Sequence, residues 1–302
     1  MAAAITLTLL PSFLRPIIAP LLPQLWLTRH RVAQAQEVFG PAIKSRWLQP
    51  ENPNRGEQVD ILRLMVESSK KCGRSDKDLV IDLLFLNMAA VHSTAMTITH
   101  ALYWLVAKPE LTNILRKEVL QALAASDGEY SKLSLQHMTK LDSFIKETMR
   151  CSDMVSTTIH RKVTRPFTLS NGQIIPSGVV IEFPSSCVAR DIGNFTDPGE
   201  FDAFRFYNIA QQYQNEKTGS YGPISNTEFS AAEPRTLSFG YGRHACPGRF
   251  LASAEIKMVL GHILTEYEIK LPAGVLGRYK NLSFGPYVSI PLDFGHEGVL
   301  AC

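Results

Sequence analysis

The sequence predicts a mainly α chain with small β-sheets, and three stretches carry that prediction. Asp76 to about Val106 reads as one very long helical run. Thr157 to Thr168 and Gln173 to Phe183 alternate as strands around Ser170-Asn171-Gly172, a hairpin signal. Arg249 to Leu260 repeats apolar residues at helical spacing directly after a loop rich in glycine and proline.

The composition narrows the function classes. The chain has 302 residues, enough for one large domain or two modest ones, and is 45% hydrophobic and 20% charged, as a packed globular core requires. A net charge of +3 gives no reason to expect a nucleic-acid partner or a strongly acidic one. Five cysteines, Cys72, Cys151, Cys187, Cys246 and Cys302, are widely spaced and form no Cys-x-x-Cys. That argues against a disulfide framework and against a zinc site, and it suits a reducing compartment.

Taken in order, residues 1–27 are strongly apolar but interrupted by Pro11, Pro16, Pro20 and Pro23, with Arg15 in the middle. No basic residue precedes the apolar run and no clear cleavage site follows, so neither a signal peptide nor a transmembrane anchor is expected. A segment in peripheral contact with a membrane, or a buried amphipathic piece, is the expectation. Thr28 to about Arg46 turns helical, and residues 48–58 read as a polar loop. Ser75-Asp76-Lys77-Asp78 is a capping box at the start of the long helix. Leu79 to Val91 is apolar nearly all round, so this helix is expected to be central and buried. Within it lies Ala89-Ala90-Val91-His92-Ser93-Thr94. Polar groups in a buried helix need partners or a cavity, and back-bonding of hydroxyls to the preceding turn is one way to supply them.

Pro109 opens the next helix, to about Ala125. Glu147 and Arg150, in Leu141 to Arg150, are three apart and share a helix face. On a surface such a pair contributes roughly 0.5 kcal/mol. Residues 207–236 read as a long polar connection, unusual in a compact domain unless it supports a site. Tyr267 to Pro272 and Tyr287 to Leu292 read as short terminal strands.

The chemistry concentrates in Phe239-Gly240-Tyr241-Gly242-Arg243-His244-Ala245-Cys246-Pro247-Gly248. Cys246 falls just before a helix N-terminus, where unpaired N–H groups and the helix dipole favour an anionic sulfur. The thiolate is the metal-binding form of cysteine. Glycines let the backbone turn tightly and approach a ligand. Arg243 and His244 add donors for anionic groups. By itself a lone cysteine in such a turn is commonly structural.

The order of these residues closely resembles the haem-binding loop of the cytochrome P450 family. The resemblance implies haem, iron protoporphyrin IX, with Cys246 as axial thiolate ligand. It implies a haem-propionate contact for His244 and packing beside the sulfur for Phe239. Three further motifs follow the family's order. Ala89 to Thr94 resembles the oxygen-activation motif, a small residue, any residue, an acid and two hydroxyls. Here His92 stands where the acid is usual and Ser93 where the first threonine is usual, as in a fungal-type branch. Proton delivery through Ser93 or Thr94 and ordered water is implied, with the role of His92 left open. Ala89 and Ala90 are small enough to leave room over a haem face. Glu147 and Arg150 match the family's Glu-x-x-Arg, whose buried network implies Arg205 as third member. Ala203 replaces a proline often found there. Arg161, in the strand section, is a second propionate contact by resemblance and a solvated strand charge by the bland reading.

The resemblance runs through residues 1–302, strongest over 76–292, and implies the C-terminal portion of the P450 fold as one partial domain. The family's earlier Trp-x-x-x-Arg segment finds no match at Trp26, Trp47 or Trp104. Residues 5–46 resemble the helix that covers the distal pocket. The implied function is a haem-thiolate monooxygenase that inserts one oxygen atom of O₂ into an apolar small molecule, with electrons from NADPH through a reductase. A fungal secondary metabolite such as a terpenoid is the implied substrate class. The implied location is the cytoplasmic face of the endoplasmic reticulum membrane or the cytoplasm. Two alternatives stand beside this: a haem-thiolate isomerase, dehydratase or peroxide-using oxidase, and a non-catalytic remnant acting at most as an interaction module.

Overall fold

The computed structural model describes residues 11, 13–48, 60–152, 155–215, 227–270, 281–283 and 289–291. Most of the polar loop expected at 48–58 lies outside the described residues, as do residues 1–10 of the apolar N-terminal stretch. The chain forms two compact units, residues 1–91 and 92–302.

The first unit is helical. It holds α1 (Arg15–Ile18), a 3-10 turn (Ala19–Leu21), α2 (Pro23–Leu48), α3 (Ile61–Lys71) and the opening turns of α4 (Asp76–Ala107). Asp60 caps α3 by accepting from the Arg63 N–H at 2.8 Å, one of the orphan donors of a first turn. Arg46 on α2 pairs with the same carboxylate and holds it below the usual carboxylate range. The capping box before α4 forms as expected: Ser75 N–H donates to Asp78 Oδ2 at 3.1 Å and Asp78 N–H to Ser75 Oγ at 3.3 Å. The core gathers Ile43, Val66, Leu79, Val80 and Leu83, with Phe39 and Trp47 packed against it.

The expected burial of α4 all round is corrected here. Leu79, Val80 and Leu83 are buried, whereas Ile81, Phe85, Met88 and Val91 face solvent, Phe85 at 67% exposure. The cause is one-sided packing: α2 and α3 supply the neighbours of one face only. Among the described residues α4 is the helix long and apolar enough to cross a membrane by length and composition.

The second unit is mainly α, with α5 (Glu110–Ala124), α6 (Lys132–His137), α7 (Thr139–Cys151), α8 (Ser185–Ala189), α9 (Arg205–Asn215) and α10 (Arg249–Glu266). Among the described residues its strands form three two-stranded antiparallel sheets. They are β1 (Thr158–Lys162) with β4 (Val180–Phe183), β2 (Phe167–Thr168) with β3 (Ile174–Ile175), and β5 (Asn281–Ser283) with β6 (Ser289–Pro291). The two long strands read from the sequence are thus each two short ones. The hairpin signal holds: Asn171 Oδ1 accepts from the Gln173 N–H at 3.0 Å and Gly172 turns at φ +86°. The polar connection at 207–236 begins as helix α9 instead of a loop, and residues 216–226 lie outside the described residues. Of the two terminal strands, residues 267–270 carry none, and Ser289–Pro291 is a strand as expected.

The core of this unit sits on α7, where every residue from Leu141 to Arg150 is buried. Phe144, Ile145 and Met149 pack with Leu115 and Val119 of α5 and Ile256 and Leu260 of α10. Each such side chain contributes about 1.5–3 kcal/mol by leaving water. The N-terminus of α7 is satisfied from outside: Glu118 on α5 accepts from the N–H groups of Lys140 at 2.8 Å and Leu141 at 2.9 Å. Arg116 on the same helix closes the other end of α10, donating to the Leu264 carbonyl and, at 3.0 Å, to that of Tyr267. Burying all faces of α7 while it carries Asp142, Lys146, Glu147 and Arg150 requires a partner for each charge.

Candidate functional site

The partners of those charges lie on α7 itself and on the segments that lead to and follow Cys246. Arg150 forks onto Glu147, Nε to Oε2 and Nη2 to Oε1, both at 2.8 Å. Its remaining N–H groups donate to the carbonyls of Ala189 at 2.9 Å, Pro198 at 2.7 Å and Glu200 at 2.9 Å. Arg205, at the start of α9, donates Nε to Glu147 Oε1 at 3.2 Å. Its Nη atoms reach the carbonyls of Thr196 at 2.5 Å, Asp197 at 3.2 Å and Glu200 at 3.0 Å. Asp202 N–H donates to Glu147 Oε1 at 3.0 Å. One fully buried carboxylate therefore ties α7 to the chain between α8 and α9. The structure brings Glu147, Arg150 and Arg205 together as the sequence motifs anticipate.

Two further buried pairs on α7 were not anticipated. Lys146 Nζ lies 2.9 Å from Glu233 Oε1 and 4.5 Å from the centre of the Phe206 ring. Burial pushes the Lys146 ammonium down from its usual range, opposed by Glu233. Lys257 of α10 pairs with Asp142 at 2.5 Å and donates to the Leu135 carbonyl at 3.1 Å. No motif flagged them, because each joins residues far apart in sequence; Lys146 standing directly before Glu147 is the one signal available.

The cysteine loop leaves this frame at Thr236. A 3-10 turn (Leu237–Phe239) ends at Gly240, whose φ +69° and ψ −165° place it where only glycine sits without strain. Gly242 at φ +71° starts a second 3-10 turn, Gly242–His244. The loop is closed by the Cys246 N–H donating to the Phe239 carbonyl at 2.8 Å. Phe239 meets Phe229 edge-on at 5.1 Å between ring centres, anchoring the loop to the core. Gly248 is the N-cap of α10, with no side-chain cap. A Cβ on Gly248 would lie 3.8 Å from Cys246 Sγ, so the sulfur lies over that first turn. Cys246, Arg243 and His244 are exposed. Arg249 donates to the Cys246 carbonyl at 2.9 Å.

Among the described residues no three His, Cys, Asp or Glu side chains cluster as a metal site. A structural zinc site takes four ligands. A single exposed thiol above an uncapped helix terminus fits a metal whose other ligands come from a macrocycle, and haem is such a group. His244 stands beside it as an exposed donor for an anionic substituent.

The remaining positions are set by their own elements. Ala89 is exposed and Ala90 half-buried on α4 in the first unit. His92 and Ser93 are exposed and Thr94 half-buried on the part of α4 that belongs to the second unit. Back-bonding on this helix is made by Thr97, to the Ser93 carbonyl at 3.0 Å, and by Thr99, to that of Ala95 at 2.8 Å. Arg161 is an exposed residue of β1 whose Nη1 donates to the His160 carbonyl at 2.9 Å.

Cys151 adjoins the Glu147 network, with Arg150 Nη2 3.1 Å from its sulfur. Burial, with Glu147 adding to it, pushes its thiol up from 9.0 to about 12. Because the folded value is the higher one, its contribution to stability is complete below pH 9 and is lost as the pH rises toward 12. At pH 8 the Cys151 thiol therefore stays protonated. Iodoacetamide at pH 8 is expected to label the exposed Cys72, Cys187 and Cys246 and to spare Cys151 until the protein is unfolded. Peptide mapping checks this, and rapid native labelling of half-buried Cys151 would contradict its raised thiol value.

The sequence pattern of the cytochrome P450 family matches residues 4–282. A cytochrome P450 monooxygenase of Stachybotrys chlorohalonatus is 37% identical over 92% of this chain and 58% of its own length. A cytochrome P450 monooxygenase of Annulohypoxylon truncatum is 35% identical, over 90% of this chain and 53% of its own. An ent-kaurene oxidase of Fusarium fujikuroi is 37% identical, over 92% of this chain and 50% of its own. The chain thus spans about half the length of these relatives.

Proposed function

The chain belongs to the cytochrome P450 family, and from that membership we propose that it works as a haem-thiolate monooxygenase with Cys246 as axial ligand. The observation that carries this is the Cys246 thiol, exposed above the uncapped first turn of α10 and held by a loop that turns through two glycines at positive φ. Bound haem, supplied with O₂ and with electrons from NADPH through a reductase, brings the chemistry that inserts one oxygen atom into an apolar substrate.

The chain's residues do the rest. The N–H groups at the start of α10 stabilise negative charge on the sulfur. Phe239 packs beside the loop, and His244 and Arg161 offer donors to propionates. Ser93 and Thr94, with ordered water, pass protons on α4, and Ala89 and Ala90 leave room there. His92, in place of an acid, favours a second reading, a haem-thiolate isomerase, dehydratase or peroxide-using oxidase; a reaction without NADPH consumption would select it. A relative that is an ent-kaurene oxidase supports a terpenoid-like substrate. Exposed Phe13, Ile17, Leu21, Trp26 and Leu27, with Arg15 among them, suit peripheral contact with a membrane surface, in keeping with the cytoplasmic face of the endoplasmic reticulum.

The test is the carbon monoxide difference spectrum of the reduced protein with haem supplied. A Soret band at the long wavelength of thiolate-ligated iron is expected. A short-wavelength band, or no bound haem, would overturn the reading and leave a chain that serves at most as an interaction module.

A further inference from the structure

Both arms of the Cys246 loop are fastened to the same helix by buried ion pairs. On the arm before the loop, Glu233 meets Lys146 at 2.9 Å. The same carboxylate accepts from Thr236 Oγ1 at 3.1 Å and from Arg235 at 3.2 Å, so it holds the residue next to the Leu237–Phe239 turn. On the arm after the loop, Lys257 meets Asp142 at 2.5 Å, and Asp142 Oδ2 also accepts from the Phe229 N–H at 2.6 Å. Asp142 and Lys146 are four apart on α7 and so share a face. All four charged residues are under one-tenth exposed. Between the arms the loop turns through two glycines and exposes most of its side chains.

We propose that Lys146–Glu233 and Asp142–Lys257 are a pair of clamps that fix the Cys246 backbone against α7, making Glu233 and Lys257 positioning residues for the haem-thiolate site. This deepens the reading of Cys246 as ligand and rests on it. A short loop whose two ends are held to one rigid element has little freedom left. An axial ligand must sit within a few tenths of an ångström of its place, and supporting residues determine whether it does.

Buried pairs permit a clean test, because removing one partner strands a charge while removing both does not. The single variants Glu233→Gln and Lys146→Met are therefore expected to lose stability. The doubles Lys146→Met/Glu233→Gln and Asp142→Asn/Lys257→Met are expected to fold, yet with the loop released. Two readouts are taken on the doubles. Hydrogen exchange of the Gly240, Ala245 and Cys246 amides, which close the loop, should quicken about tenfold or more, while amides inside α7 change less than about twofold. The haem-loaded doubles should shift a large part of the carbon monoxide band from long to short wavelength.

Wild-type exchange at the three loop amides in both doubles would overturn the clamp, whatever the spectrum does. Faster exchange with an intact long-wavelength band would overturn the positioning role. A wild-type protein without that band would overturn Cys246 as ligand, and the exchange data would still decide the clamp.

Discussion

Glu147→Gln is expected to lower stability by about 3–5 kcal/mol, the cost of leaving buried charge without its partner. The carboxylate accepts two bonds from Arg150, one from Arg205 and one from the Asp202 N–H, and it is fully buried. A glutamine keeps the shape but brings an NH₂ group toward guanidinium donors and removes the negative charge between them. Their other hydrogen bonds go mainly to carbonyls, with the Cys151 sulfur 3.1 Å from Arg150 Nη2, and these accept without neutralising charge. Against a total stability of roughly 5–15 kcal/mol, the loss moves the unfolding midpoint by roughly 10 °C or more. Glu67→Gln is the control. Its ion pair with Arg63 is one turn apart and part-exposed, so it should cost about 0.5 kcal/mol or less. Urea unfolding of the two variants checks the contrast. A Glu147→Gln protein within about 1 kcal/mol of wild type would mean that the network contributes little.

That contrast explains what the sequence made legible. The Glu147, Arg150 and Arg205 triad was readable because its spacing matches a family pattern, although spacing alone gives a helix pair worth no more than Glu67 and Arg63. Lys146 and Asp142 were not readable. On a helical wheel they look like a solvated face, and only the fold reveals that Glu233 and Lys257 arrive to meet them. The capping box at Ser75 and the turn at Asn171-Gly172 were readable because their bonds close within three residues. The burial of α4 was misjudged for the opposite reason. Hydropathy states which residues prefer to leave water, and says nothing of what covers them; Leu79, Val80 and Leu83, with Leu84 half-buried beside them, find neighbours in the first unit. Helix α9 was missed because Arg205 to Asn215 is rich in Asn, Gln and Tyr, residues whose composition suits a loop as well as a helix. Its inner face is set by Phe206, which packs edge-on against Phe195 at 6.0 Å.

Cys246→Ser is expected to remove the long-wavelength carbon monoxide band almost entirely, a loss of roughly tenfold or more, while leaving the fold intact. The two parts of the result follow from different atoms. The fold uses the Cys246 backbone: its N–H donates to the Phe239 carbonyl and its carbonyl accepts from Arg249, and serine keeps both. The side chain is exposed, so its exchange should change stability by about 0.5 kcal/mol or less. The spectrum uses only Sγ, and a serine hydroxyl does not ionise at neutral pH as a thiol can. Three companions make the result specific. His244→Ala should retain the band with weaker haem retention, since His244 offers a donor to a substituent and not a ligand to the metal. Cys187→Ser and Cys72→Ser, which also remove exposed thiols, should leave the band unchanged. Persistence of the band in Cys246→Ser would assign the thiolate elsewhere; its loss in Cys187→Ser or Cys72→Ser would do the same. Loss confined to Cys246→Ser, in a protein that unfolds at the wild-type midpoint, separates the sulfur's chemistry from the architecture that holds it.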